Sequence, residues 1–192
     1  MTLRIVGLSG SVRKASRTTV LVRAVTERIA ALTGGAPETI ELCDVAPVLF
    51  SALSRERLRE TGEAILARVE TADLLVVGSP VYRASYTGAL KHLFDLVDHR
   101  ALAGRPTVLL ATGGSPHHGL MPDHQLRPLL AFFGALTLPT TIYAVEPDFD
   151  GERLANPAIA ARIERVAEEA SAFAARIAPV RLLSPVAASA RT

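Results

Sequence analysis

The chain has 192 residues, of which 49% are hydrophobic, so it can form one domain with a sizeable core. Its 21 basic and 19 acidic side chains leave a net charge of +2, which argues against a large nucleic-acid-binding surface. The single cysteine excludes an internal disulfide. No apolar run approaches the roughly 20 residues of a membrane span, and the N-terminus lacks a signal-peptide layout. These features predict a soluble, cytoplasmic, globular protein.

Short apolar segments alternate along the chain with segments of helical periodicity. Strands are predicted at residues 3–8, 39–42, 73–78, 107–111 and 140–145. Helices are predicted at residues 18–31, 54–70, 88–97, 126–136 and 158–177. Because the strands are continuously apolar, we expect an α/β fold with a parallel sheet covered on both faces. One domain is predicted over residues 1–178, followed by a flexible, proline-punctuated tail at 179–192.

Three of the predicted strands end in unusual loops, which should lie side by side, since open α/β sheets bind ligands beyond their carboxyl ends. The first loop, residues 9–18, is Ser-Gly-Ser-Val-Arg-Lys-Ala-Ser-Arg-Thr and precedes a helix. Its hydroxyl groups, Arg13 and the helix N-terminus form a suitable cradle for one phosphate group. The loop has neither a Gly-x-Gly-x-x-Gly nor a Walker A pattern. An ordinary helix N-cap in a polar loop would also explain it.

The second and third loops suit a flat ligand. The second loop, residues 79–88, is Ser-Pro-Val-Tyr-Arg-Ala-Ser-Tyr-Thr-Gly, and its rings and small residues are suitable for a wall against an aromatic system. The third loop, residues 111–115, is Ala-Thr-Gly-Gly-Ser, whose paired glycines would let backbone N–H groups approach a ligand without an intervening Cβ. Either loop alone is equally explained as a plain turn. Three such loops together favour one shared site.

At this point the sequence resembles a known family. The pattern Gly-Ser-x-Arg-x-x-Ser, the run Gly-Ser-Pro-Val-Tyr-Arg-Ala-Ser-Tyr-Thr-Gly-Ala-Leu-Lys and Ala-Thr-Gly-Gly-Ser are similar to the NAD(P)H-dependent FMN reductases. The similarity runs over residues 3–149. The run at 80–91, combined with the block Asp-His-Gln-Leu-Arg-Pro at 123–128, is closest to the FMN reductases of alkanesulfonate and methanesulfonate monooxygenase systems.

The resemblance implies a fold, an activity and partners. The fold would be a flavodoxin-like three-layer sandwich around a five-stranded parallel sheet of order 2-1-3-4-5. The activity would be reduction of FMN by hydride transfer from NADH or NADPH. The reduced flavin, FMNH2, would pass to a partner monooxygenase, and the enzyme would be a homodimer or homotetramer. Because the reactive atoms belong to the two cofactors, no side chain is expected to act as a catalytic acid or base.

The resemblance also implies the residues of the FMN site. Five residues of the first loop would surround the phosphate: Ser9, Ser11, Arg13, Ser16 and Thr18. Four residues of the second loop would lie along the isoalloxazine ring: Pro80, Val81, Tyr82 and Ser85. Three residues of the third loop would lie on its other edge: Thr112, Gly113 and Gly114. Relatives often have asparagine at position 18, and threonine keeps a hydrogen-bonding side chain there.

Pro128 falls inside a segment whose next residues, 129–133, are largely apolar and consistent with a helix. Proline lacks an N–H and its ring clashes with the carbonyl four residues earlier, that of His124. Either a π-bulge or an ordinary proline kink is therefore expected. In the reductases that this block resembles, a tyrosine at the position of His124 lies in a π-helix at the tetramer interface. The resemblance implies an interface position for His124 and a role of the bulge in releasing reduced flavin.

Other polar residues have simpler interpretations. His117, His118 and His124 lack the spacing of the common zinc sites, so no metal is predicted. Asp148 and Asp150 lie in a turn-like stretch and are expected to be solvated.

Two further functions are compatible with the same residues. An FMN-containing quinone, azo-dye or metal reductase would hold its flavin as a prosthetic group, and only the block at 123–128 favours the first function over it. A flavodoxin-like electron carrier would be non-enzymatic, and the strongly acidic surface usual in such carriers is absent here. The sequence does not choose between NADH and NADPH.

Overall fold

A parallel sheet forms the centre of the computed structural model, which describes residues 2–183 and the side chains of residues 2–176. Its strands are β1 (Arg4–Ser9), β2 (Ala36–Glu41), β3 (Leu74–Pro80), β4 (Pro106–Gly113), β5 (Leu136–Thr137) and β6 (Ile142–Val145). They pair in the order β2-β1-β3-β4-β5, as predicted. β5 pairs with the start of β4 and β6 with its end, so the fifth strand is split in two. Pro139 lies in the gap, and proline has no N–H to donate to a ladder.

Helices cover both faces of this sheet and complete the predicted three layers. They are α1 (Arg17–Thr33), α2 (Leu42–Leu49), α3 (Glu60–Glu70), α4 (Gly88–Leu96), α5 (Arg127–Phe132) and α6 (Pro157–Leu183). The helices α1 and α6 pack on one face, and α2 to α5 pack on the other. In β3, Leu74 and Val76 face the first layer while Leu75 and Val77 face the second, all fully buried. Burial on both sides is the reason that the strands are continuously apolar.

Element boundaries differ from the sequence predictions in several places, three of which concern helices. Leu42 begins α2 instead of ending a strand, and this helix was not predicted from the sequence. Burial of Leu42 against the core offsets the energetic cost of the proline inside the helix. Residues 54–59, predicted as helix, contain only a short 3₁₀ turn before α3. Leu136 belongs to β5 instead of a helix, because Gly134 adopts a φ of +65° and ends the helical run.

The C-terminal helix α6 covers the predicted helix at 158–177 and continues to Leu183. Residues 184–192 lie outside the described part of the chain, so the predicted flexible tail stays a prediction, as does the domain boundary at 178. Within the described residues, no helix is both long enough and apolar enough to cross a membrane.

A π-helical turn, Pro122–Leu126, leads into α5 and contains His124. The N–H of Arg127 donates to the carbonyl of Pro122, five residues earlier. Pro128 then occupies the first turn of α5, where a missing N–H costs little. The predicted π-bulge is therefore confirmed, and the simple proline kink is not what forms.

The side chain of Arg127 ties this π-turn to the split fifth strand. Its guanidinium donates to the hydroxyl of Thr137 at 2.8 Å and to the carbonyl of Leu138 at 3.0 Å. The carboxylate of Asp123 accepts from it at 2.7 Å and also accepts from the hydroxyl of Thr141 at 3.1 Å. One ion pair thus supports the backbone on both sides of the gap between β5 and β6.

We expect Arg127→Ala to lower the free energy of unfolding by about 1.5–3 kcal/mol, because hydrogen bonds to charged groups contribute on this order. Urea denaturation followed by circular dichroism would measure it. Arg165→Ala is the matched control, since Arg165 is exposed and pairs with Glu169 only on the surface of α6. Such surface pairs contribute at most about 1 kcal/mol. Equal losses in the two variants would contradict a structural role for Arg127.

Candidate functional site

The three loops predicted from the sequence meet at one edge of the sheet. Their strands β1, β3 and β4 are neighbours, and parallel pairing brings all three carboxyl ends to the same side. The register places Ser9 beside Gly78, and Pro80 beside Thr112. The expectation that the loops lie side by side is confirmed.

Hydrogen bonds join the three loops to one another. The hydroxyl of Thr87 in the second loop donates to the carbonyl of Gly10 in the first at 2.7 Å. The N–H of Val81 donates to the carbonyl of Thr112 in the third loop at 2.8 Å. The hydroxyl groups of Thr18 and Thr112 lie 2.6 Å apart and join the first loop to the third. These three threonines are buried, so water competes little for the bonds, and the loops are held together before any ligand binds.

A cavity of about 490 Å³ lies between the loops, within the roughly 300–1,000 Å³ usual for small-molecule sites. Most of the residues implied by the resemblance line it: Ser11, Arg13, Ser16, Thr18, Pro80, Val81, Tyr82, Thr112, Gly113 and Gly114. Ser9 and Ser85 do not. Ser9 is fully buried, with its hydroxyl 2.8 Å from that of Thr19. The Ser85 hydroxyl donates to Oε1 of Gln125 in the π-turn at 3.2 Å.

The first loop has the features of an anion site. Ser16 caps α1 by accepting a hydrogen bond from the N–H of Thr19 at 3.4 Å, and no acidic residue lies in the first turn. The free N–H groups and the helix dipole favour a negative group there. Arg17 is paired with Glu146 at 2.5 Å. The guanidinium of Arg13, exposed on the cavity wall, has no hydrogen-bond or ion-pair partner among the described residues. It is therefore free to bind an anion.

The second loop contains a tight hairpin made without glycine. Tyr82 and Ser85 exchange two backbone hydrogen bonds, of 2.8 and 3.1 Å. The two residues between them, Arg83 and Ala84, have φ angles of +50° and +66°. Two positive φ angles are typical of a type I′ turn, which usually contains Asn-Gly because side chains disfavour this region. Backbone strain on the order of 1–3 kcal/mol per residue is thus kept beside the cavity, where the Tyr82 ring forms part of the wall.

The two glycines of the third loop have different reasons to be glycine. A Cβ on Gly114 would meet nothing within 4 Å, so this position leaves space open at the cavity. A Cβ on Gly113 would lie 2.0 Å from the hydroxyl of Tyr143. From the sequence, both glycines were expected to allow the close approach of a ligand. The structure assigns Gly113 a packing reason as well and leaves the ligand argument to Gly114.

The sequence analysis missed five residues that line the cavity: Ala15, Arg17, Val145, Gly151 and Glu152. Gly151 and Glu152 form the tip of a hairpin between β7 (Phe149–Asp150) and β8 (Arg153–Leu154), beyond the end of the sheet. No recognisable motif marks this hairpin, and only the Asp-Gly pair before Glu152 signals a turn. The fold brings it back over the first loop.

Asp148 holds the segment that leads to this hairpin. It was expected to be solvated, and that prediction is wrong. Its carboxylate is buried and accepts from the N–H of Val145 at 2.7 Å and from the amide of Asn156 at 2.5 Å. A carboxylate that caps backbone N–H groups in this way stabilises a tight turn, which a polar composition alone does not reveal. Asp150 is exposed, as expected, and pairs with Arg153.

Among the described residues, one set of three potential metal ligands has its atoms within 4.8 Å of one another: Glu41, Cys43 and Asp44. Glu41 is paired with Arg23 and Asp44 with Lys14, both at 2.8 Å, so the carboxylates are already neutralised. Burial raises the pKa of the Cys43 thiol, with a further contribution from Asp44 and Glu41. A protonated thiol is a poor metal ligand and a poor nucleophile.

The residues around the cavity suit FMN. A helix N-terminus, small hydroxyl groups and an unpaired guanidinium match a terminal phosphate. A proline, a tyrosine ring and glycine backbone match the faces and edge of a flat ring system. The fold defines a flavodoxin-like α/β protein with a cavity at the carboxyl edge of its sheet, where proteins of this fold class bind their ligands.

Comparison with known proteins identifies the family. Residues 3–150 match the family described as NADPH-dependent FMN reductase, and the chain belongs to it. It is therefore an oxidoreductase whose cofactors are FMN and a reduced nicotinamide dinucleotide.

Individual relatives align with most of this chain. The chain is 50% identical to the NADH-dependent FMN reductase SfnF of Pseudomonas putida over 172 residues, which are 89% of this chain and 92% of that protein. It is 46% identical to an FMN reductase (NADPH) of Pseudomonas aeruginosa over 168 residues, 88% of this chain and 90% of the relative. Its structure matches an oxidoreductase from Corynebacterium diphtheriae with a TM-score of 0.82 at 32% identity, covering 92% and 99% of the two chains. The similarity therefore extends over the fold as a whole.

Proposed function

We propose that the protein uses FMN as a substrate, reduces it with NADH or NADPH, and supplies FMNH2 to a partner flavin-dependent monooxygenase in sulfonate or sulfur assimilation. The observation that carries the proposal is the open cavity with Arg13 at its proposed phosphate end, where the guanidinium has no partner among the residues that the structure describes. The block at 123–128 and the 50% identity with a reductase named SfnF support the link to a monooxygenase. Relatives named for NADH and for NADPH leave both reductants in the proposal. A cytoplasmic location suits a chain with a single cysteine.

The first loop would bind the FMN phosphate. Ser11, Ser16 and Thr18 line the cavity together with Arg13 of the same loop, and their hydroxyl groups would serve as donors to the phosphate. The N–H groups at the start of α1 add donors there. Ser9 would support the phosphate site indirectly, because its buried hydroxyl contacts that of Thr19 and holds β1 against α1.

The second and third loops would hold the isoalloxazine ring. Pro80, Val81 and Tyr82 line the cavity at the end of β3, and Thr112 to Gly114 line it at the end of the neighbouring strand β4. Ser85 would act through the hairpin that it closes with Tyr82. When bound, the flavin accepts a hydride that the nicotinamide supplies, and the protein's part is to bind, orient and shield the two rings. The proton that completes FMNH2 would come from solvent, so no side chain of the site is required to supply it.

Steady-state kinetics with varied NADH or NADPH and varied free FMN test this function. Sequential kinetics, and a protein that purifies with little bound flavin, are expected for a reductase that releases FMNH2. Ping-pong kinetics with retained flavin, and faster turnover with a quinone than with FMN, would instead show a prosthetic-group reductase and contradict the proposal.

The phosphate assignment predicts a selective defect in Arg13→Ala. Loss of charge-assisted hydrogen bonds should weaken FMN binding by roughly ten- to hundredfold, while riboflavin, which lacks the phosphate, keeps its affinity. Flavin fluorescence titration would measure both. Lys14→Ala is the matched control, because Lys14 lies in the same loop but pairs with Asp44 away from the cavity. Equal weakening of FMN and riboflavin would remove Arg13 from the phosphate site.

We also propose that the π-turn lies at an interface between subunits of a homodimer or homotetramer and assists the release of reduced flavin. His124 is exposed on this turn, and the side chain of Leu120, just before it, is 62% exposed. Gln125 links the same turn to the second loop through the hydroxyl of Ser85. The link to the proposed ring site supports the release role, and the resemblance of the block at 123–128 supports the interface role.

Deletion of His124 should restore a regular helix. The variant is expected to purify with more bound FMN, to turn over flavin more slowly, and to show an altered oligomer by light scattering. His124→Ala is the control, since it removes the side chain and keeps the residue count of the π-turn. Unchanged flavin content, turnover and oligomeric state in the deletion variant would exclude both the interface role and the release role.

A further inference from the structure

We propose that Tyr143 is a positioning residue for the flavin, which fixes the third loop without itself lining the cavity. The proposal rests on the proposed FMN site. Tyr143 lies on β6, directly beside Ala111 of β4. From there its side chain reaches toward Ser115, where β4 has ended and the loop has begun.

The hydroxyl of Tyr143 anchors the far end of the third loop. It donates a hydrogen bond of 2.6 Å to the carbonyl of Ser115. The near end is already anchored at Thr112, whose carbonyl accepts from Val81 and whose hydroxyl contacts Thr18. The backbone that lines the cavity between these ends is therefore held on both sides. Removing one anchor would leave it free to shift.

The chemistry of the hydroxyl suits this task. Burial raises the pKa of Tyr143, so the phenol stays neutral and keeps its proton for donation near neutral pH. The side chain is partly buried and packs against the larger hydrophobic core, which limits its rotation. A neutral donor on a rigid ring fixes the position of a backbone carbonyl.

Gly113 and Tyr143 are complementary in shape. A Cβ at position 113 would lie 2.0 Å from the tyrosine hydroxyl and 3.0 Å from the ring carbon that bears it. A side chain there would clash with the tyrosine hydroxyl, and we expect the ring to move and its bond to Ser115 to weaken. The glycine that the sequence suggested as a ligand contact is thus also required for the tyrosine anchor.

Tyr143→Phe tests the anchor, because it removes the hydroxyl and keeps the ring. Loss of one hydrogen bond should weaken FMN and riboflavin by the same factor, about three- to tenfold, and raise the KM for FMN much more than it changes kcat. Thr140→Val is the matched control, since its buried hydroxyl bonds Glu169 just before β6 and touches no loop of the site. It should lower Tm and leave flavin affinity unchanged.

A double-mutant cycle tests the pairing with Gly113. In the wild-type background, Gly113→Ala should weaken flavin binding by about fivefold or more, because the added methyl group displaces the ring of Tyr143. In a Tyr143→Leu background, where the anchor is already lost, the same change should have less than about a twofold effect. Additive effects would show that Gly113 acts on the flavin directly, and would overturn the pairing.

Wild-type titrations separate failure of this inference from failure of the proposed function. If the wild-type protein does not bind FMN, the proposed function itself is contradicted. If it binds FMN and Tyr143→Phe retains full affinity for both flavins, only the positioning role is overturned. A fall in Tm without a change in flavin affinity in Tyr143→Phe would also overturn it, since that is the result of a purely structural bond.

Discussion

The parallel pairing of β1, β3 and β4 is the constraint on which the candidate site depends. Parallel strands require crossovers, and right-handed crossovers bury both faces of the sheet under helices. All three carboxyl ends then fall at one edge, where the cavity opens between their loops. The three loops have little in common as sequences, and only this arrangement makes them one cavity. Buried hydroxyl contacts such as that between Thr18 and Thr112 then hold the loops to one another.

At this edge of the sheet, some positions with unusual backbone angles lack glycine, while one glycine is present for a packing reason. Arg83 and Ala84 hold positive φ angles where glycine would be relaxed, while Gly113 is glycine because Tyr143 occupies the space of its Cβ. Such departures from local preference persist only where the surrounding structure enforces them, and they concentrate at functional sites. The pattern agrees with a family whose chemistry belongs to its cofactors, because the protein's contribution is then the positions of loops.

The π-turn accommodates the missing N–H of Pro128 and also contacts two other parts of the fold. Pro128 removes one N–H, and the extra residue of the turn accommodates it. The same geometry places Asp123 and Arg127 so that their ion pair reaches the gap in the fifth strand. Gln125 of the turn contacts Ser85 of the second loop. The turn that accommodates this proline is thus connected by hydrogen bonds both to the split fifth strand and to the candidate ring site.

Local patterns in the sequence were sufficient for most of the alternation of strands and helices, although not for α2 or the split fifth strand, and for the three loops; at Pro128 they left a π-bulge and a proline kink as alternatives. Hydrophobic periodicity and a missing N–H act within a few residues and can be recognised without a structure. Three features could not be predicted in this way: Asp148 is buried, Glu152 lines the cavity, and a side chain at position 113 would clash with Tyr143. The Gly113 clash joins positions far apart in the chain, since Gly113 meets Tyr143 only after β6 has paired with β4. Those features were decided by the tertiary structure, because only folding brings the contacting atoms within reach of one another.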